Sequence, residues 1–259
     1  MEELITFYSE NQKIFGNLHL PYAKAPCVIA LHGLESSKDS GKWPIIAARL
    51  TAEGYACLRF NFRGCGSGSE KSEGEFEEVS LTGRIRDYNC ALRFLEETGK
   101  VDMRRVGVIG SSFGGMVAVA VPDNRIKAMV SLATPYTILQ IPAGSRFKKG
   151  FYDDLRAYDL LKAVRGAPPI LILHGSSDLV VPPEHAQKLY EAAPEPKRLE
   201  IVEDADHVFS QREHLDLVIN LSLEWFKTYL IYSQKPNNSY LTPSPRNRSI
   251  QPCAKLSRD

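Results

Sequence analysis

The chain has 259 residues, of which 43% are apolar and 24% are charged, values that are typical of a globular protein with a sizeable core. This composition argues against a disordered chain, a collagen-like repeat and a coiled coil. The 32 basic and 31 acidic residues leave a net charge of +1, which argues against nucleic-acid and membrane partners. The sequence has no run of 18 or more apolar residues, which is the length that would predict a membrane-spanning helix.

Short segments rich in Val, Ile and Leu alternate with amphipathic segments, a pattern that is typical of βαβ units. In chain order, the predicted strands are 2–8, 13–20, 27–32, 55–62, 106–109, 126–132, 170–173 and 199–202, and the predicted helices are 43–52, 81–95, 116–121, 184–192 and 215–230. The first two strands alternate like an antiparallel pair. We therefore expect an α/β fold with a doubly wound, mostly parallel sheet of about eight strands.

Residues 136–168 interrupt this alternation with three glycines and a short basic run, while apolar residues recur at helical spacing. We interpret this segment as a small helical cap inserted into the α/β domain. Its aromatic residues Phe147, Phe151 and Tyr152 are predicted to line an acyl-binding pocket. The alternative for each of them is that it packs the cap against the core.

The C-terminal segment 233–259 has four prolines and five basic residues against one acidic residue, with few large apolar side chains. It is predicted to be a disordered tail because it can bury too little apolar surface, and the folded domain is then 1–232. The N-terminal residues do not resemble a secretory signal, and the five cysteines are scattered without Cys-x-x-Cys spacing. These features favour a reducing, cytoplasmic environment.

A Gly-x-Ser-x-Gly motif, Gly110 to Gly114, lies directly between a predicted strand and a predicted helix. This is the context of a nucleophile elbow, a sharp turn that exposes a reactive serine. Ser112 has glycine two residues before and two residues after it, whereas Ser111 does not. Ser112 is therefore the candidate nucleophile, and the alternative is an ordinary turn rich in glycine and serine.

A serine hydroxyl needs a base, and the base needs an orienting acid. Asp178 and His207 each follow a predicted strand and come after Ser112 in the chain. Ser, Asp, His is the chain order of α/β-hydrolase triads, and the carboxyl ends of parallel strands are where such sheets bind ligands. Asp204 and Asp206 are alternative acids, although their place on the loop of the histidine favours a structural role.

With these motifs, residues 13–230 resemble the α/β-hydrolase superfamily, in particular its small, short-capped serine hydrolases near the feruloyl-esterase and acylaminoacyl-peptidase branches. The segment from Arg59 to Gly68 resembles a family motif, with Asn61 where aspartate is usual. His32-Gly33-Leu34 resembles the family's oxyanion motif. The resemblance implies an oxyanion hole formed by the backbone N–H groups of Leu34 and Phe113.

The resemblance implies a serine hydrolase that cleaves small or aryl acyl esters through an acyl-serine intermediate. Alternatives are a peptidase or acylaminoacyl hydrolase or a thioesterase with the same triad, and a catalytically silent binding protein. We expect a small-molecule ester as partner and no cofactor or metal. Gly64, Gly66 and Gly68 follow a predicted strand, but Ser69 stands where the Gly-x-Gly-x-x-Gly motif of a dinucleotide site requires its third glycine. No His-Glu-x-x-His motif of a metal site occurs. His32 and His174 are expected to support the site rather than act as bases.

Overall fold

The computed structural model describes residues 1–138, 147 and 150–233. The predicted tail lies almost wholly outside the described residues, as does most of the basic run in the predicted cap. Within the described ranges, no helix combines the length and the apolar character needed to cross a bilayer.

Among the described residues, eight strands form one sheet, as the sequence predicts. They are β1 (Glu2–Ser9), β2 (Gln12–His19), β3 (Ala25–Leu31), β4 (Ala56–Phe60), β5 (Val101–Ser111), β6 (Ile126–Leu132), β7 (Ile170–Gly175) and β8 (Lys197–Val202), in the spatial order β1-β2-β4-β3-β5-β6-β7-β8. The pairs β1–β2 and β2–β4 are antiparallel, and the other five pairs are parallel. The mostly parallel, eight-stranded sheet is confirmed.

Helices cover both faces of the sheet. The described helices are α1 (Trp43–Ala52), α2 (Leu81–Thr98), α3 (Phe113–Ala120), α4 (Gly150–Arg156), α5 (Leu160–Ala163), α6 (Glu184–Ala192) and α7 (Arg212–Phe226), the last continued by a π-helical segment, Lys227–Tyr232. Apolar residues of α1 and α7 pack on one face, whereas those of α2, α3, α4 and α6 pack on the other. Burial on both faces explains the continuous apolar character of the central strands.

Two predicted boundaries near the site differ from the structure. β5 begins at Val101, five residues before the predicted strand, because Val101 pairs with Ala25 of β3. The charged residues Asp102, Arg104 and Arg105 interrupt the apolar run from which the strand is predicted. α3 begins at Phe113, three residues before the predicted start. The prediction placed the start too late because two glycines in the first turn hide the helical pattern. The nucleophile motif therefore joins strand and helix with a single intervening residue.

The described part of the predicted cap is seated on the N-terminus of α2. Asp154 Oδ2 accepts hydrogen bonds from the N–H groups of Leu81 and Thr82, at 2.6 and 3.1 Å. The hydroxyl of Tyr158 lies 2.7 Å from that of Thr82. A carboxylate at this end of a helix is favourable because the first N–H groups have no partner within the helix.

Candidate active site

The candidate residues lie at the carboxyl ends of neighbouring parallel strands. Ser112 follows β5, Asp178 follows β7 and His207 follows β8, while the segment from His32 to Leu34 follows β3. Because β3, β5, β6, β7 and β8 are adjacent and parallel, the loops after them meet at one edge of the sheet. This topology is what brings residues that are far apart in sequence to one site.

Ser112 occupies a conformation that L-residues rarely adopt, with φ 53° and ψ −121°. Ser112 directly precedes α3. The strand-to-helix turn that contains it is tight because α3 packs directly against the end of β3. A Cβ atom on Gly114 would overlap the carbonyl of Leu31 and lie 2.6 Å from that of His32. Strained backbone held in this way is concentrated at functional sites, and it presents the Ser112 side chain at the top of the turn.

Asp178 is buried, and four nitrogen atoms lie within 3.2 Å of its carboxylate oxygens. Its Oδ1 accepts from the N–H groups of Val180 and Val181, at 2.9 and 2.8 Å. Its Oδ2 lies 2.7 Å from Nδ1 of His207 and 3.2 Å from Nε2 of His174. Burial opposes ionisation of Asp178, but the hydrogen bonds from His174 and His207 outweigh it and hold the pKa of this carboxyl well below its usual range.

The acid loop and the histidine loop also touch through their backbones. A Cβ atom on Gly175, the last residue of β7, would overlap the carbonyl of Ala205, so the two loops approach as closely as a glycine allows. Asp206, one of the alternative acids, accepts from the N–H of Ser210 at 2.9 Å and from its hydroxyl at 2.5 Å. Asp206 therefore braces its own loop, while the carboxylate that contacts His207 is that of Asp178.

His207 is oriented but is not hydrogen-bonded to the serine. Its Nδ1 carries the proton shared with Asp178, which leaves Nε2 available on the other side of the ring. Among the described residues, no hydrogen bond joins this ring to Ser112 Oγ. Such contacts are often long before substrate binds. The catalytic roles of Ser112, Asp178 and His207 stay predictions.

The segment after β3 lies against the nucleophile turn. The position that a Cβ atom would take on Gly33 is 3.5 Å from Cβ of Ser112. The N–H of Leu34 has no hydrogen-bond partner among the described residues. The N–H of Phe113 is in the first turn of α3, where a helix offers it no acceptor. Both N–H groups are therefore available to an anion, as an oxyanion hole requires, although that role is untested.

His32 is a fully buried support of this segment. Its Nε2 accepts from the N–H of Phe62 at 3.2 Å, so Nδ1 carries the proton and donates to the carbonyl of Gly33 at 2.8 Å. Burial, together with the nearby charge of Arg84, lowers the pKa of His32 to about 3. His32 is therefore neutral near pH 7 and is engaged at both ring nitrogens, as expected of a support rather than a base.

The predicted pocket residues have different surroundings. Phe151 is 2% exposed and stacks on Phe113 and on Phe147, with ring centroids 5.8 and 4.9 Å apart. Phe151 thus seats α4 beside the nucleophile turn. Tyr152 is half-buried and lines a cavity of about 360 Å³, together with residues that include Met116, Tyr136, Leu155, Tyr158 and Leu161. Contact of Phe147, Phe151 or Tyr152 with a substrate stays a prediction.

Sequence reasoning missed Arg84, a buried residue of α2. Its guanidinium donates to the carbonyls of Gly33 and Leu34, at 3.0 and 2.9 Å. The signal was present, because Arg84 interrupts the apolar stripe of α2 three residues after Leu81 and four before Tyr88. A charge at such a position requires polar partners in the core.

The fold and the edge of the sheet at which these residues meet define an α/β-hydrolase. A model of the prolyl oligopeptidase family (Peptidase_S9) matches residues 45–232, and the chain belongs to this family. Among the described residues, no group of three or more His, Cys, Asp or Glu side chains is arranged to hold a metal ion.

The chain is also similar to individual proteins. The protein YfhR of Escherichia coli O157:H7 is 30% identical over 195 residues, which are 71% of this chain and 64% of that protein. The esterase domain of a Rhodothermus marinus protein is 26% identical, with a TM-score of 0.69 and coverage of 89% of this chain and 99% of that one. Est1E of Butyrivibrio proteoclasticus, solved with ferulic acid, is 20% identical, with a TM-score of 0.76 and coverage of 87% and 98%.

The chain spans less than two-thirds of the length of the first curated relatives that it matches. The similarity to Est1E is a similarity of fold.

Proposed function

We propose that this protein is a serine carboxylesterase, with Ser112 as nucleophile, His207 as general base and acid, and Asp178 as the residue that orients the imidazole. The observation that carries the proposal is the 2.7 Å contact between Asp178 Oδ2 and His207 Nδ1, which directs Nε2 away from the carboxylate at the edge of the sheet where Ser112 lies. A binding protein has no need of a buried carboxylate that orients a histidine beside a strained serine.

In this mechanism, Ser112 Oγ attacks the ester carbonyl carbon while His207 Nε2 takes its proton. The carbonyl oxygen becomes an oxyanion and accepts hydrogen bonds from the N–H groups of Leu34 and Phe113, each contributing about 3 kcal/mol to transition-state stabilisation. The tetrahedral intermediate releases the alcohol, which receives the proton from His207. A water molecule, deprotonated by His207, then releases the acid and restores the Ser112 hydroxyl.

Small or aryl acyl groups are the proposed substrates. The cavity of about 360 Å³ is lined by Met116, one turn beyond Ser112 on α3, and by several tyrosine and leucine side chains, whereas Ser112 and His207 are not among its lining residues. A pocket of this size and character suits a short or aromatic acyl group better than a long chain. Est1E, which shares the fold, has been solved with ferulic acid bound, and this supports including aryl esters among the candidates.

Amide hydrolysis is the second candidate, because the family model that matches is that of a peptidase family. The same three residues serve both reactions, and the difference is in the leaving group. An amine must be protonated as it departs, so amides are expected to react more slowly unless the site is adapted to them.

The experiment is fluorophosphonate labelling followed by peptide mapping, combined with a panel of p-nitrophenyl acetate, butyrate and palmitate, methyl ferulate and an aminoacyl p-nitroanilide. We expect one adduct, on Ser112, and faster turnover of the short and aryl esters than of palmitate or the anilide. Ser112→Ala is expected to abolish both labelling and hydrolysis, and His207→Ala to suppress labelling. Ser111→Ala, the adjacent serine of the same motif, is the matched control and retains both.

An adduct on Ser111, or wild-type activity in Ser112→Ala, would refute the assignment. A higher kcat/KM on the anilide than on the esters would favour the peptidase. A folded wild-type protein that neither reacts with the probe nor hydrolyses any substrate would favour the silent binding protein.

A further inference from the structure

Arg84 is a buried cation on the apolar face of α2, and its side chain is fully inaccessible to solvent. Its Nη1 donates to the carbonyl of Gly33 at 3.0 Å, and its Nη2 donates to that of Leu34 at 2.9 Å. Nη2 also lies 3.4 Å from Sγ of Cys65. Two carbonyls of one short loop thus accept from the two ends of a single guanidinium, whose planar fork fixes their relative orientation.

The guanidinium also contacts two aromatic rings. Its central carbon lies 4.7 Å from the centroid of Phe62 and 5.1 Å from that of Phe113. Arg84 therefore touches both residues that the proposed oxyanion hole requires, Leu34 through its carbonyl and Phe113 through its ring. No carboxylate forms an ion pair with Arg84 among the described residues, and its Nε has no hydrogen-bond partner there.

The bond to Gly33 has a direct consequence for the donor group. The carbonyl of Gly33 and the N–H of Leu34 belong to the same planar peptide unit. A cation bound to the oxygen fixes the plane of that peptide, and it draws electron density toward the oxygen, which makes the N–H a stronger donor. The same carbonyl also accepts from His32 Nδ1 at 2.8 Å, so two donors fix its direction.

We propose that Arg84 is a positioning residue of the oxyanion hole: it orients and polarises the Gly33–Leu34 peptide and holds Phe113 beside it. This inference rests on the proposed function, because it needs Leu34 and Phe113 to bind the oxyanion. Arg84 does not touch the substrate. Its effect is confined to states in which negative charge has formed on the carbonyl oxygen, so it acts on kcat rather than on substrate binding.

The test compares Arg84→Met and Arg84→Lys with Arg63→Met. Arg63 is a matched control because it too is a largely buried arginine, bound to the buried carboxylate of Asp87 at 2.7 Å and without contact to Gly33 or Phe113. For p-nitrophenyl butyrate, we expect kcat to fall about 10- to 100-fold in Arg84→Met, less than the 10²- to 10³-fold that follows loss of a whole donor. KM is expected to change less than threefold, and Arg84→Lys to be intermediate.

The second readout is inhibition by butylboronic acid. Ser112 Oγ adds to the boron atom and gives its proton to His207, and the boron becomes a tetrahedral anion with an oxygen in the oxyanion hole. We expect the inhibition constant to rise in Arg84→Met by about the same factor by which kcat falls. A variant that had merely lost packing would not show this proportionality. Circular dichroism and the melting temperature establish that each variant is folded.

The two proposals fail in different ways. A wild-type protein that neither hydrolyses esters nor is labelled on Ser112 overturns the proposed function and this inference with it. An active wild type with Arg84 variants that match Arg63→Met in kcat and in boronate affinity overturns the role of Arg84 alone. So does a fall in kcat with unchanged boronate affinity. Failure of both Arg84 variants to fold, while Arg63→Met folds, assigns Arg84 to stability and also overturns it.

Discussion

The candidate site has an acid–base side, formed by Asp178 and His207, and an oxyanion side, formed by the peptide between Gly33 and Leu34. Different kinds of contact fix the residues of each side. On the acid–base side, Asp178 is bound by the N–H groups of Val180 and Val181 and by His174, all within four residues of it. On the oxyanion side, the carbonyl of Gly33 is bound by Arg84, 51 residues further along the chain. Local sequence supplies most partners of the Asp178 carboxylate, and His207 is its one distant partner. The Gly33 carbonyl has one local partner, His32, and one that only the assembled fold brings to it, Arg84.

This difference predicts how each side responds to substitution. The carboxylate of Asp178 has several short-range partners, so losing one of them leaves the others in place. The Gly33–Leu34 peptide depends on Arg84 and on His32, and both of these are buried without access to water as a replacement partner. Substitutions on the oxyanion side should therefore cost stability as well as activity.

The largest effect is expected on the acid–base side, from Asp178→Asn. The amide can no longer hold the His207 ring in the tautomer that leaves Nε2 as the base. We expect a folded protein with kcat reduced about 10⁴-fold, as for the same change in a serine protease triad. Steady-state hydrolysis of p-nitrophenyl butyrate measures it.

Asp206→Asn is the matched control, because Asp206 is on the histidine loop and binds Ser210 rather than His207. Its kcat should stay within a few-fold of the wild-type value. The reverse result, a large loss in Asp206→Asn with near-normal Asp178→Asn, would transfer the acid role to Asp206.

Stability at mildly acidic pH is the next test, and it concerns the oxyanion side. The pKa of His32 is about 3 in the folded protein and about 6.5 when unfolded, so the unfolded chain binds a proton below pH 6.5 and the folded protein does not. The free energy of unfolding should therefore decrease as the pH is lowered, and His32 should contribute about 2 kcal/mol of this decrease between pH 7.5 and pH 5.

Urea unfolding of the wild type and of His32→Asn at the two pH values isolates the contribution of His32. The variant is expected to be less stable at pH 7.5, but to lose about 2 kcal/mol less than the wild type on transfer to pH 5. Equal losses in the two proteins would mean that His32 takes up a proton while folded, and that the Gly33 carbonyl is not held as the structure indicates.

The same contrast explains what the sequence could predict. The eight strands and the motif around Ser112 follow from local apolar runs and from glycine spacing, and the Asp178–His207 pairing follows from chain order and strand ends. Arg84 could not be assigned, because a charged residue in an apolar stripe shows only that it needs a partner. Which carbonyls it meets depends on how α2 packs against the loop after β3.

His174→Leu tests the acid–base side with a smaller expected loss of kcat than Asp178→Asn. His174 Nε2 lies 2.8 Å from the carbonyl of Val181 and 3.2 Å from Asp178 Oδ2, so it braces the acid loop and contacts the carboxylate. Because three other hydrogen bonds to Asp178 remain, we expect kcat to fall only about tenfold. His19→Leu, which removes a buried histidine bonded to Arg59 instead, serves as the control. Equal kcat values in the two variants would limit His174 to packing.

The smallest expected effect tests whether the cap is coupled to the oxyanion side through α2. Asp154 binds the first N–H groups of that helix, one turn before Arg84. Asp154→Asn should lower the free energy of unfolding by about 1 kcal/mol, because it removes a charge from a helix N-terminus. Asp153→Asn, the neighbour that pairs with Arg156 at the surface, should change it by less than about 0.5 kcal/mol.

The kcat values of the same two Asp variants decide the coupling. If α2 is rigid over its first turn, Arg84 keeps its bonds when Asp154 is changed, and kcat should fall less than threefold. A loss as large as that of Arg84→Lys would instead show that the seating of the cap is transmitted to the Gly33–Leu34 peptide. The cap, α2 and the oxyanion side would then act as one unit, while Asp178 and His207, which make no hydrogen bond or ion pair with α2 among the described residues, would stay independent of it.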